Sequence, residues 1–206
     1  MNVKQFSLGA LGTNCYIVHK NGKGLIIDPG AEGLVVKQYL DSHDTKPLAI
    51  LLTHAHFDHI GAVEELQREY NIEVYLHETE HDWLKDPMLN GSQYFGITEP
   101  IRINNADHML TPGFLTLENF TFEIRHTPGH SPGSVSFVFE DEGFVIAGDT
   151  LFNGGIGRTD LPQGNHQELL TSIKTNLFTL AEKTIVYPGH GPETTIEKEK
   201  RSNPFL

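Results

Sequence analysis

The chain has 206 residues, enough for one large domain with a substantial core, and carries a formal net charge of −12 with histidine neutral. That sign disfavours phosphate backbones and anionic lipid surfaces, so neither a nucleic acid nor a membrane partner is expected. The single cysteine, Cys15, excludes an internal disulfide and any thiolate-cluster metal site. No apolar run approaches a membrane span, and the N-terminus lacks a basic region followed by an apolar signal core, which points to a cytoplasmic protein.

Alternating apolar residues predict strands over 3–8, 14–19 and 24–27, a meander that ends in the turn signal Asp28-Pro29-Gly30. Near-helical spacing follows over 33–43, then a buried strand over 48–52, a helix from Gly61 to residue 70 and a strand over 73–76. This alternation of strand and helix is α/β wiring. A short helix is expected over 77–85 and a long aperiodic loop, a candidate lid, over 86–100. Strands are expected over 115–117, 120–125, 134–139, 143–147 and 184–187, with helices over 167–177 and 193–201. No repeat, low-complexity tract or linker interrupts the chain, and one domain over 1–206 is expected. The element order predicts a four-layer αββα sandwich of two mixed sheets with helices on the outer faces.

The strand over 48–52 runs into Thr53-His54-Ala55-His56-Phe57-Asp58-His59, which puts four potential metal ligands within six residues. The ordinary alternative is a polar strand-end turn whose histidines cap backbone groups, and no six-residue segment encloses a metal alone. Three later strand ends supply what it lacks. His130 sits in Thr127-Pro128-Gly129-His130-Ser131-Pro132-Gly133, Asp149 in Gly148-Asp149-Thr150, and His190 in Pro188-Gly189-His190-Gly191. Ligands at the ends of rigid strands are held in place, while glycines let the backbone turn beside a crowded centre.

Five histidines and two aspartates exceed what one catalytic zinc uses, so two divalent ions are the economical reading. Nitrogen and carboxylate donors without thiolates suit zinc first, with iron or manganese open. A bridging water that loses a proton at neutral pH would attack, and the ions would stabilise the developing oxyanion.

These residues, in this order, resemble the metallo-β-lactamase fold superfamily, and the likeness covers essentially the whole chain. The resemblance implies that His54, His56 and His130 bind one metal, that Asp58, His59 and His190 bind the second, and that Asp149 bridges them. In that scheme Asp58 also orients the bridging hydroxide. True lactamases of this fold generally lack a bridging aspartate there, which sets antibiotic hydrolysis aside. Gly148-Asp149-Thr150-Leu151-Phe152, Gly157-Arg158-Thr159-Asp160 and the run from Tyr187 to Thr195 are similar to the short branch of glyoxalase II-like hydrolases.

That branch cleaves hydroxyacyl thioesters of a low-molecular-weight thiol, of the S-lactoylglutathione type. A thiolate leaves readily at neutral pH, and no dedicated general acid stands among the motifs. The chain ends soon after His190, without the helical domain that grips glutathione in longer relatives, and Pro192 stands where those place a tyrosine. The thiol is therefore left open. The alternative on the same scaffold is a mononuclear-iron persulfide dioxygenase, in which His54, His130 and Asp149 hold iron. A non-catalytic scaffold is disfavoured by the seven intact ligands, and a nuclease by the acidic charge.

Asp28 is read either as a partner behind a ligand histidine or as a turn former. Arg158 is read either as a contact to an anionic substrate group or as a structural ion pair. Cys15 reads as packing rather than a nucleophile. The remaining histidines, His19, His43, His77, His81, His108, His126 and His166, read as surface or capping residues, and Tyr94 and Phe95 as lining a lid or covering the core. The expected partner is a small-molecule thioester, and the oligomeric state is left open.

Overall fold

Unbroken apolar runs and two-residue alternation become strands, and the 3.6-residue pattern becomes helices, in two compact units, Met1–Met109 and Leu110–Leu206. The computed structural model describes residues 1–95 and 99–206.

In the first unit, β1 (Asn2–Leu8), β2 (Thr13–Lys20) and β3 (Lys23–Ile27) form an antiparallel meander. Helix α1 (Gly33–Ser42) then crosses over to β4 (Lys46–Leu51), which lies parallel to β3. The chain next makes a four-residue helix, α2 (Phe57–Ile60), and a longer one, α3 (Val63–Tyr70), before β5 (Glu73–His77) pairs in parallel with β4. Strand β6 (His108–Leu110) ends the six-stranded sheet in the order β1-β2-β3-β4-β5-β6. Val36 and Leu40 of α1 and Val63 and Leu66 of α3 pack against Ile17, Ile26, Ile50 and Val74 of the strands. Burying a residue of this size stabilises by about 1.5–3 kcal/mol, and Ile50 ties β4 into this cluster.

In the second unit, β7 (Gly113–Leu117), β8 (Phe120–His126), β9 (Val135–Phe139) and β10 (Phe144–Gly148) follow one another antiparallel. A two-stranded hairpin, β11 (Leu151–Phe152) and β12 (Gly155–Ile156), precedes α4 (His166–Ser172), which runs on into a π-turn over Ile173–Leu177. Strand β13 (Ile185–Pro188) pairs in parallel with β10, and β14 (Thr194–Thr195) and α5 (Ile196–Ser202) close the unit. The sheet order is β14-β13-β10-β9-β8-β7. One side chain cluster joins Val138, Val145 and Val186 to Leu169, Ile173, Leu177 and Ile196. Another is aromatic: Phe139 stacks on Phe144 at 4.6 Å between ring centroids and meets Phe122 at 5.0 Å.

Two mixed sheets with accompanying helices are the expected class. The differences are local. The helix expected from Gly61 is preceded by α2, so Asp58 and His59 lie on a helical turn and not on an open loop. The terminal helix starts at Ile196, because Thr194 and Thr195 first pair with β13. Strands β6, β11, β12 and β14 were not expected; each has two or three residues, too few for a period to register. The expected loop over 86–100 lies in part, at 96–98, outside the described residues. Its first half is pinned by Asn90, fully buried, whose side-chain amide donates to the carbonyls of Trp83 and Ile101.

Among the described residues no helix is long and apolar enough to cross a membrane. Cys15 is buried in β2, and burial, with the nearby Asp28 charge, pushes its thiol far up. Native protein at pH 8 should leave this thiol unreacted with a disulfide reagent, and urea should expose one equivalent.

The turn after β3 is packed directly against α2 and its C-terminal glycine. A Cβ on Gly30 would lie 1.6 Å from the Asp58 carbonyl oxygen, and one on Gly61 would lie 2.3 Å from the Gly30 oxygen. Gly30→Ala should therefore destabilise the fold by about 3 kcal/mol or more in urea unfolding. Gly143→Ala, at a φ of 75° in open space, should cost only about 1 kcal/mol.

Candidate metal centre

The end of β4 delivers Thr53 and the histidines after it into a set of hydrogen bonds that decides which ring nitrogen carries each proton. Asp28, 1% exposed, accepts from the Thr53 backbone N–H at 2.8 Å, from the Thr53 hydroxyl at 2.6 Å and faces His59 Nδ1 at 3.0 Å. A carboxylate only accepts, so His59 carries a proton on Nδ1, and its neutral form presents the lone pair on Nε2. The single Thr53 hydroxyl proton is committed to Asp28, so toward His54 Nδ1, 3.0 Å away, that oxygen accepts. His54 is thereby set in the same tautomer, with its lone pair on Nε2.

The same strand end is tied at other points. The Ala55 N–H, between His54 and His56, donates to the fully buried Glu80 carboxylate at 2.6 Å, and the Phe57 N–H donates to the Asn90 carbonyl. His56 is the residue before α2, and its carbonyl accepts from the His59 N–H at 2.9 Å, which closes the turn. Asp58, in the first turn of α2, accepts the Thr13 hydroxyl at 2.6 Å, and its Oδ2 lies 3.6 Å from His59 Nε2. Donor atoms of His54 and His56, of His54 and His59, and of Asp58 and His59 lie within 4.8 Å pairwise. His54, His56, Asp58 and His59 are thus brought together.

The second unit repeats the device. The His130 Nδ1 donates to the Arg158 carbonyl at 2.7 Å, so the neutral ring presents its lone pair on Nε2. That Nε2 lies 3.5 Å from Asp149 Oδ2, and His190 Nε2 lies 3.4 Å from the same oxygen. These separations exceed the usual hydrogen-bond range of about 2.7–3.2 Å. They match the roughly 3.4 Å between two donors that each stand about 2.0–2.1 Å from one tetrahedral ion. A lone pair facing a carboxylate oxygen is repulsive unless a proton or a metal cation stands between them.

The backbone around these residues admits no side chains. A Cβ on Gly157 would lie 1.9 Å from the Asp149 carbonyl oxygen, and one on Gly129 would lie 2.2 Å from the Leu169 nitrogen. The Gly189 N–H donates to the Gly148 carbonyl at 2.7 Å, which ties the loop carrying His190 to the one carrying Asp149. His130, Asp149 and His190 are thus brought together.

Asp28 does both things its sequence context allows. Its φ of 50° is the left-handed region that suits a turn, and its carboxylate is the hub behind His54 and His59. The Arg158 guanidinium forms a two-pronged ion pair with Asp160, at 2.7 Å on each prong, and holds that carboxyl down at about 2. Among the other histidines, His77 caps the 3₁₀ turn at Glu78–Lys85 by accepting from the Thr79 N–H and the exposed His108 pairs with Glu73, whereas His19 and His126 are half-buried, against the Tyr39 hydroxyl and the Pro132 carbonyl. Three contributors escape a motif search. Thr53 is signalled only by adjacency to His54, while Thr13 and Glu80 lie far from the ligands in sequence and have no signal at all.

A family model described as the metallo-beta-lactamase superfamily matches residues 8–190. The chain is 48% identical to a probable metallo-hydrolase, YqgX, of Bacillus subtilis over 100% of this chain and 98% of that protein. It is 37% identical to the hydroxyacylglutathione hydrolase GloC of Haemophilus influenzae, again over 100% and 98%. Among solved structures, one described as the BLEG-1 B3 metallo-beta-lactamase superposes with a TM-score of 0.97 at 48% identity, covering 100% of this chain and 99% of that one. Another, TTHA1623 in a di-iron-bound form, superposes with a TM-score of 0.89 at 39% identity, covering 98% and 100%. The fold, the family model and the full-length relatives agree: the chain belongs to the metallo-β-lactamase superfamily, whose members are mostly metal-dependent hydrolases.

Proposed function

We propose that this protein is a binuclear metal-dependent hydrolase of hydroxyacyl thioesters, with all of 1–206 acting as one catalytic domain. The observation that carries the metal reading is the pair of histidine nitrogens, on His130 and His190, that face one oxygen of Asp149 at 3.5 and 3.4 Å. The seven donors from the two units are assigned to a common pair of ions. His54, His56 and His130 would hold one, Asp58, His59 and His190 the other, and Asp149 both. The donor set fits: imidazoles, of which His54, His59 and His130 have the second nitrogen engaged, and carboxylates are what zinc, iron or manganese takes. Zinc is the first choice, and the di-iron form of a relative keeps iron in view.

When bound, such ions acidify water and offset the charge that develops on a carbonyl oxygen under attack. The rest falls to the chain. Asp28 and the Arg158 carbonyl hold His59 and His130 in the tautomer that presents Nε2. Thr13 holds Asp58 through its hydroxyl, which leaves the second carboxylate oxygen to orient the attacking water. A thioester suits this equipment because a thiolate departs without protonation at neutral pH, and GloC, a full-length relative, is described as a hydroxyacylglutathione hydrolase. Arg158 as a contact to an anionic substrate group would require it to leave Asp160. The second reading is lactam hydrolysis, favoured by the solved relative described as a B3 lactamase.

Elemental analysis of the purified protein should find two metal ions per chain, with cleavage of S-lactoylglutathione exceeding that of a chromogenic cephalosporin. One iron per chain with oxygen uptake on a thiol persulfide would overturn the proposal, and dominant cephalosporin turnover would replace the substrate class. Asp149→Asn should lose at least one ion and at least about a hundredfold in kcat. Asp28→Asn should weaken metal affinity by about 10–100-fold in a metal-buffer titration.

A further inference from the structure

A cavity of about 340 Å³ in the first unit opens beside Asp58. Its walls are apolar: Leu8 at the end of β1, Leu11 in the β1–β2 turn, Ala31, Phe57, Phe95 and Ile101. Asp58 and Thr13 stand at its polar end, joined by their 2.6 Å hydrogen bond. The rings of Phe57 and Phe95 meet at 5.1 Å, and Leu11 and Phe95 remain 47% and 40% exposed, a large apolar area left in contact with water. Among the described residues the lining contains no lysine, arginine or histidine, and its one charge is the Asp58 carboxylate. The volume is at the lower end of small-molecule sites, which run from about 300 to 1,000 Å³.

From this we infer that the cavity takes the acyl chain of the thioester and selects acyl groups that carry an apolar chain beyond the carbonyl. The inference rests on the thioester hydrolase reading. An anionic group finds no partner along these walls, which offer it no lysine, arginine or histidine to offset the loss of its hydration. Low-molecular-weight thiols carry carboxylates, amines or phosphates, so the apolar end of such a thioester is its acyl end. In the reaction, water oxygen bonds to the carbonyl carbon and the C–S bond breaks. The sulfur leaves with the bonding pair as a thiolate, and the water's protons pass to solvent and to the thiol, giving a carboxylate and a free thiol. The acyl chain stays in the cavity throughout, so its burial contributes to transition-state binding as well as to substrate binding.

The test uses the metal-loaded protein and acetyl, butanoyl, hexanoyl and lactoyl thioesters of one uncharged thiol, N-acetylcysteamine. Full burial is worth about fourfold per methylene. The expected result is a kcat/KM at least about tenfold higher for hexanoyl than for acetyl. Leu11→Asp, on an exposed turn that the core does not depend on, should flatten this series. In parallel, calorimetry should detect the non-hydrolysable S-hexyl thioether of the same thiol binding to metal-free protein, and Leu11→Asp should abolish that binding. A flat series in a protein that cleaves every member, or thioether binding that Leu11→Asp does not alter, overturns the cavity assignment alone. No cleavage of any member by a protein holding two metals overturns the hydrolase reading, and this inference with it.

Discussion

The Asp28 carboxylate is the constraint on which the first half of the candidate site depends. It is buried, sits on a backbone in the left-handed region, and is surrounded by the Thr53 amide, the Thr53 hydroxyl and the His59 ring. A buried carboxylate is tolerable only with such donors around it, and the donors are in turn fixed by it. Through Thr53 the same charge reaches His54, so one side chain sets the proton positions of two imidazoles. Asparagine could keep the turn but would not accept from all three donors. Glycine would relax the backbone and remove the hub.

The second half uses a neutral acceptor for the same purpose. His130 is fixed by a main-chain carbonyl, that of Arg158, and the glycines at 129 and 157 allow two segments to approach where no Cβ fits. The side chain of Arg158 is occupied elsewhere, by Asp160, so the residue's best-defined contribution is its backbone oxygen. Such a contribution survives substitution of the side chain. Motif reading, which weighs side chains, overlooks it.

Most of the architecture was legible because it is carried by periodic apolar residues. Ile50 and Leu51 in β4, and Leu169, Ile173 and Leu177 along α4 and its π-turn, report their burial through spacing alone. The seven candidate ligand positions stand out in the sequence for another reason: histidine and aspartate beside glycine at strand ends have few structural uses. What stayed hidden has no period and no motif. Glu80 supports the Ala55 amide from 25 residues away, and Thr13 reaches Asp58 across 45, contacts that depend on tertiary packing. The turn α2 was read as loop because four residues are too few to display helical spacing.

The turn between β1 and β2 is bracketed by Gly9 and Gly12, with φ values of 67° and 64°, while Thr13 immediately beyond it is anchored to Asp58. Ala10 and Leu11 can thus be exchanged, or the turn remodelled between its two glycine pivots, without disturbing that anchor. Mutation and selection can revise the rim of such a cavity while the anchor beneath it is inherited intact, one physical route by which a single scaffold diversifies.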